Sequence, residues 1–130
     1  FVPEQLRREV THRDSRFDLY LESGVRRGFV EVKGVTLVQD GIAMFPDAPT
    51  ERGTKHLRGL ADAVKDGYDA WVLFIVQRRD VTMFMPNDAG DSMFGTALRE
   101  AAAAGVQVMA VTCEVTETGS KTAAPIPVRL

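Results

Sequence analysis

Asp18, Glu31 and Lys33 are the residues of this sequence whose types and spacing best suit chemistry on an anion. Side chains of an extended strand alternate between its two faces. Glu31 and Lys33, two apart in Gly28-Phe29-Val30-Glu31-Val32-Lys33-Gly34, therefore project to one side while Val30 and Val32 face the other. Ser15-Arg16-Phe17-Asp18-Leu19-Tyr20-Leu21 reads as a second strand. The polar connection Glu22 to Arg27, with Gly24 inside it, makes a hairpin of the two. A symmetric pairing sets Asp18 opposite Glu31, with Cβ atoms roughly 5 Å apart. Both carboxylates can then hold one cation, with a lysine ammonium beside them. Carboxylate oxygens are hard donors of the kind Mg²⁺ or Mn²⁺ takes, and the lysine can orient a water or steady developing negative charge. A slip of one residue in the register would turn Asp18 to the other face. Spacing alone also allows a solvated hairpin face laced by ion pairs.

The elements that must position this group follow from the patterning. Pro3 with Leu6 and Val10 at i and i+4 predicts a short opening helix, with Glu9 near its end. His12 falls in the loop before the hairpin. Gly34 is placed as a bulge or bend after the second strand. Thr50 is the predicted cap of a helix whose apolar positions Leu57, Leu60, Ala61 and Val64 share one face and which stops at Gly67. Ala70 to Val76 is a continuous apolar run and predicts a central strand covered on both faces, holding Trp71 and Phe74. A short strand over Val81 to Pro86, a helix from Asp91 or Ser92 to Gly105 and a last long strand from Val106 to Val115 follow. Cys113 is expected as a core filler, Arg78 and Arg79 as solubilising charges at a strand end, and 116–130 as a tail. Strand, helix, strand in succession implies right-handed parallel crossovers. The expected fold is α/β, a mixed central sheet flanked by helices.

At 130 residues and 45% apolar content the chain suits a single domain with one core. No apolar run approaches the ~20 residues of a membrane span, so no membrane partner is expected. One cysteine excludes an internal disulfide and a thiolate zinc cluster, which suits a reducing cytoplasm. A net charge of −2 argues against a protein that coats nucleic acid through a broad basic field. The distribution says more: residues 1–79 hold 13 Lys and Arg against 12 Asp and Glu, and the remainder 3 against 6, so an anion-binding surface belongs with the hairpin. Arg52, Lys55 and His56 stand at the start of the Thr50 helix, where free N–H groups and the helix dipole favour phosphate. Arg16, beside Asp18, can contact phosphate or pair with a carboxylate.

Helix, hairpin with Asp and then Glu-x-Lys, helix, strand is the layout of the restriction-endonuclease-like PD-(D/E)XK nuclease superfamily. Arg8-Glu9-Val10, Ser15-Arg16-Phe17-Asp18, Val30 to Leu37, Phe45-Pro46-Asp47-Ala48-Pro49-Thr50-Glu51-Arg52-Gly53-Thr54-Lys55-His56-Leu57 and Pro127-Val128-Arg129-Leu130 together resemble the sugar fermentation stimulation protein A (SfsA) family. The resemblance runs along essentially the whole chain. It implies a cytoplasmic DNA-binding protein with a PD-(D/E)XK core spanning 1–130, and a smaller OB-like domain that would precede Phe1 and is absent here. It also implies that Asp18 and Glu31 are metal ligands, the Val32 carbonyl a third, Lys33 the motif lysine, and Glu9 a further acid from the first helix. Gly34 and Thr54 stand where many members carry serine and glutamine. The expected function is Mg²⁺- or Mn²⁺-dependent hydrolysis of nucleic-acid phosphodiesters, DNA first. The alternative is a catalytically silent DNA-binding module with a regulatory role in sugar metabolism.

Overall fold

A computed structural model of the chain describes residues 3–115, 119 and 121–130. Six strands form the main sheet in the order β1 (Gln5–His12), β2 (Ser15–Ser23), β3 (Arg26–Val35), β6 (Asp69–Val76), β8 (Gln107–Val115) and β9 (Lys121–Ile126). A second sheet joins β4 (Leu37–Gln39), β5 (Ile42–Phe45) and β7 (Met83–Pro86), where a single sheet was expected. Two helices complete the fold, α1 (Glu51–Lys65) and α2 (Ser92–Ala104). β3 pairs parallel with β6, and β6 parallel with β8. The chain thus makes the two strand–helix–strand crossovers expected of it.

Both crossovers step the same way across the sheet, and right-handed crossovers made in one direction put their helices on the same face. Along β6 the consequence is a strict alternation: Ala70, Val72, Phe74 and Val76 are buried, whereas Trp71, Leu73 and Ile75 are half-exposed. The expectation of a strand covered on both faces, in a sheet flanked by helices, is therefore corrected to helices on one side. The opposite face carries a shallow apolar depression lined by Leu21, Val30, Trp71, Leu73 and Met109. The core lies under the helices, where Leu57, Leu60, Phe94 and Leu98 meet Phe17, Val72 and Phe74. Phe74 stacks on Phe84 of the smaller sheet with ring centroids 4.2 Å apart.

The helix ends are as patterned. Thr50 Oγ1 accepts the Gly53 N–H at 3.0 Å, and Asp91 Oδ1 accepts the Phe94 N–H at 3.1 Å. α1 runs to Lys65 with Asp66 as its C-cap, and Gly105 ends α2 with φ 113°, a left-handed conformation natural to glycine. Gly59, on the buried side of α1, allows the helix to lie close on the β1–β2 corner. A Cβ there would crowd Ser15 Oγ, come within 2.9 Å of Ser15 Cβ and 3.1 Å of Phe17 Cζ. Gly59→Ala gains about 1 kcal/mol of helix propensity, yet it forces two buried residues to move, and overpacking costs about 1–3 kcal/mol. Urea unfolding is expected to show a net loss of stability; a gain would mean that the corner yields freely.

Further expectations are corrected. Residues 5–12 form a strand, not a helix, because the backbone edge of β2 takes them as its partner from Gln5↔Glu22 to His12↔Ser15. The Leu6–Val10 stripe was not a core stripe: Leu6 is 56% exposed. His12 closes this strand and is not a loop residue. Its ring packs against Phe29 and Tyr68, and Nε2 lies 2.8 Å from Asp66 Oδ2, beside the Arg13 guanidinium that holds the Asp66 carboxyl below the usual range. The tail is largely ordered. β9 pairs antiparallel with β8 as an edge strand, where Pro125 is tolerated because the strand has only one neighbour in the sheet. Beyond it Pro127 O accepts the Phe84 N–H and Phe84 O accepts the Arg129 N–H. Of the expected tail, residues 116–118 and 120 lie outside the described residues. Gly34 makes no bulge: β3 runs through it in register with Ile75, and the chain turns into β4 at Thr36. Cys113 is half-buried on β8.

Candidate metal and phosphodiester site

The β2–β3 hairpin has the symmetric register that places residues 18 and 31 across from one another. Its pairs run from Ser23↔Arg26 to Leu19↔Val30, and the ladder stops one position short of Asp18 and Glu31. Side chains replace the missing backbone bonds. Asp18 N–H donates to Glu31 Oε1 at 3.3 Å, and Val32 N–H donates to Asp18 Oδ2 at 2.7 Å. N–H and C=O of one strand residue point to the same edge, so the Val32 carbonyl faces the Asp18 side, past the end of the ladder. The sheet opens just where two carboxylates and a backbone carbonyl converge.

Glu31 is 2% exposed. It points to the helix side of β3, beneath α1, as does Lys33. Lys33 Nζ lies 3.2 Å from Glu31 Oε2 and 3.1 Å from His56 Nδ1, while His56 Nδ1 is itself in close contact with Glu31 Oε2. Burial, reinforced by Asp18, pushes the Glu31 carboxyl up from 4.5 to about 7, against the opposing pull of Lys33. His56 moves the other way. Burial, then the positive charges of Lys33, Arg52 and Lys55, lower it to about 4, so the ring is neutral around pH 7.

The structure brings together Asp18, Glu31, Lys33, the Val32 carbonyl and His56. Glu9 was expected to project from a helix. Glu9 sits mid-strand on β1 with φ 53°, skipped in the pairing between Arg8↔Leu19 and Val10↔Phe17. Its exposed carboxylate pairs with Arg16 Nη2 at 2.9 Å, and of the two roles open to Arg16 this is the one observed. Among the described residues no three His, Cys, Asp or Glu side chains form a ready metal cluster. Any metal here therefore draws on the two carboxylates, the carbonyl and solvent. That donor set, all oxygen and acid-rich, fits a hard divalent cation, which typically keeps several waters.

Arg52 and Lys55 are exposed near the start of α1, as a phosphate contact requires. His56 is not: it is 8% exposed and engaged with Glu31 and Lys33, which corrects its expected place among the phosphate contacts. The signal for this was in the sequence. Gly53, His56, Leu57, Leu60 and Ala63 lie on one helical face, and all are buried. Arg78 and Arg79 pair with Asp80 and Glu114.

Residues 2–119 match the family described as the sugar fermentation stimulation protein RE domain. A sugar fermentation stimulation protein homolog of Desulfitobacterium hafniense (strain Y51) is 55% identical over 114 residues, which are 88% of this chain and 50% of that protein. The homolog of Desulforamulus reducens is 46% identical over 127 residues, 98% of this chain and 53% of its own length. The chain thus spans about half the length of the curated relatives it matches. Its fold is similar to that of a solved structure described as Pyrococcus furiosus SfsA in complex with Ca²⁺, with a TM-score of 0.89 and 30% identity over 98% of this chain and 57% of that one. In sequence and in fold alike, the chain belongs to the sugar fermentation stimulation protein (SfsA) family.

Proposed function

We propose that this chain carries a divalent-metal-dependent, nuclease-type site, built on a PD-(D/E)XK-like core, that hydrolyses phosphodiester bonds of nucleic acid, DNA being the expected substrate. The observation that carries this reading is a buried carboxylate, Glu31, with a lysine two residues on and the Asp18 carboxylate across an opened strand pair. A buried acid with a raised pKa beside a partly buried lysine is costly to a fold and typical of a working site. The solved Pyrococcus furiosus relative was obtained with Ca²⁺, an ion of the same oxygen-seeking class as Mg²⁺ and Mn²⁺.

Asp18, Glu31 and the Val32 carbonyl would hold the cation. When bound, it supplies Lewis acidity toward a phosphate oxygen and acidity to water. Lys33 is held by Glu31 Oε2 within reach of the same phosphate, where its ammonium offsets the charge that builds up on in-line attack. Arg52 and Lys55 hold the flanking phosphates; such contacts set the strand's position and do not read its bases. No helix among the described residues is long and apolar enough to cross a membrane.

Labelled single- and double-stranded DNA and RNA, incubated with the protein in Mg²⁺, Mn²⁺ or chelator, test the reading. Cleavage that requires metal and stops with chelator is the expected result, and it also reports the preferred strand. Binding to DNA without cleavage under any condition would replace the reading with that of a DNA-binding module lacking turnover.

A further inference from the structure

We propose that Arg7 and Arg27 form a second phosphate-binding site, gripping the backbone of the substrate strand on the β1–β2 side of the candidate metal position. The inference rests on the reading of Asp18, Glu31 and Lys33 as a nuclease-type site, and it adds where the rest of the strand lies.

Three aromatic rings make the base of this site. Tyr20 packs on Phe29 with ring centroids 5.4 Å apart, and Phe29 packs on Tyr68 at 5.0 Å. A guanidinium closes each end of the row: Arg7 lies 4.6 Å from the Tyr20 centroid, and Arg27 4.5 Å from that of Tyr68. The strand register puts them there. Arg7 pairs with Tyr20 and Tyr20 with Phe29, so their side chains share one face of the sheet. Arg27, two residues from Phe29, projects to that face too. Burial and Glu22 push the Tyr20 phenol up, and both guanidiniums are near enough to oppose them.

Neither arginine has a carboxylate partner among the described residues, unlike Arg13, Arg16, Arg26, Arg78, Arg79 and Arg99, each of which pairs with one. The acids around them are engaged elsewhere. Glu22, opposite Arg27, accepts the Tyr20 O–H at 2.9 Å, while Asp69 and Asp66 hold Arg26 and Arg13. Glu4 accepts the Gly24 N–H. Two exposed guanidiniums with no counter-charge repel each other and attract phosphate. A ring against one flat side of a guanidinium holds it in place and leaves its N–H edge, which bonds phosphate oxygens in pairs, to solvent.

The spacing fits a strand that passes the metal position. Asp18, Tyr20 and Glu22 share a face of β2, so the rows of Arg7 and Arg27 stand about 7 and 13 Å along the strands from Asp18. An extended polynucleotide offers its phosphates at a similar repeat. Arg52 and Lys55 come with the start of α1, whose His56 meets Lys33, so basic contacts flank Glu31 both ways along β3. Such contacts hold the backbone and are blind to base sequence.

Fluorescence anisotropy with labelled single-stranded DNA and RNA of several sequences, in Ca²⁺ and in chelator, tests the site. One phosphate contact to a single strand contributes about 0.7 to the slope of log affinity against log salt, which is about fivefold in affinity at 0.1 M salt. Arg7→Gln and Arg27→Gln are each expected to lose that much, equally for every sequence, and the double variant about 1.4 in slope and 25-fold in affinity. Lysine at both positions is expected to restore the slope, which separates a lost charge from a disturbed fold. Arg79→Gln, which removes a charge beside β8, is the control and is expected to bind as the parent does. A parent-like slope in the double glutamine variant, or an equal loss in Arg79→Gln, would overturn the site. A parent that binds neither nucleic acid would overturn it together with the proposed function. A parent that binds but cleaves nothing in Mg²⁺ or Mn²⁺ loses only the proposed turnover, and the slopes still decide the role of Arg7 and Arg27.

Discussion

Lys33→Ala is expected to lower metal-dependent cleavage by about 10²- to 10³-fold at saturating metal, the range seen when one preorganised donor to a developing oxyanion is removed. The side chain is 15% exposed and fixed against Glu31 and His56, so the ammonium is already in place before substrate arrives. Alanine leaves Asp18, Glu31 and the Val32 carbonyl intact. It does remove the positive charge that pulls the Glu31 carboxyl down, so the variant needs more alkaline conditions to ionise Glu31 and take up metal. Measuring cleavage at pH 8 to 9 with saturating Mn²⁺ separates the two effects. Metal binding recovers there, and turnover does not. Lys33→Arg is not expected to rescue, because a planar guanidinium does not reproduce a compact ammonium in a space this closely bounded. Unchanged turnover in Lys33→Ala would remove the lysine from the mechanism.

Glu31→Gln is expected to give a metal-free protein that is more stable than the parent at pH 8, by about 4 °C or more in melting temperature, and that no longer responds to divalent ions. The sign follows from the direction of the shift. Folding raises the Glu31 carboxyl from 4.5 to about 7, so the folded state favours the protonated form. Parent stability falls as the pH rises between those values, and the loss is complete above about 7. Glutamine keeps the shape and never ionises, so its advantage is largest at pH 8 and disappears near pH 4.5. Divalent metal reverses the order, since it stabilises only the protein that binds it. The same proton makes metal uptake pH-dependent: below about pH 7 the apparent affinity of the parent falls about tenfold per unit as metal and proton compete for Glu31. Melting curves across pH 4.5–8.5, with Mn²⁺ and with chelator, contain all of these outcomes. A parent as stable as Glu31→Gln at pH 8 in chelator would mean that the carboxylate carries no strain.

The acidic pair and its lysine were legible because strand alternation is a hard geometric rule. Residues 31 and 33 must share a face, and a short polar turn leaves few registers for residue 18. The caps of α1 and α2 were legible for a similar reason: Thr50, Asp91 and Gly105 have local roles that need no knowledge of the rest of the fold. β1 was hidden because Leu6 and Val10 are spaced for a helix, and only the free edge of β2 makes them a strand. β9 was hidden because a short segment of mostly small residues containing proline looks like a tail until an edge is available for it. The one-sided helices depend on strand order, which periodicity does not encode. His56 was read by its charge, as a ligand for phosphate, although its place on the Gly53, Leu57 and Leu60 face assigned it to the interior. Chemistry drew attention away from periodicity, and periodicity was right.

Asp91 uses its two carboxylate oxygens on two different helices: Oδ1 accepts from Phe94 N at the start of α2, and Oδ2 accepts from Thr50 N at the start of α1. The acid that fixes the start of α1 thus lies far along the chain from the hairpin, in a half of the sequence that contributes no residue to the candidate site. Removing the Asp91 carboxylate would therefore loosen the starts of both helices at once, the one that carries Arg52, Lys55 and His56 included.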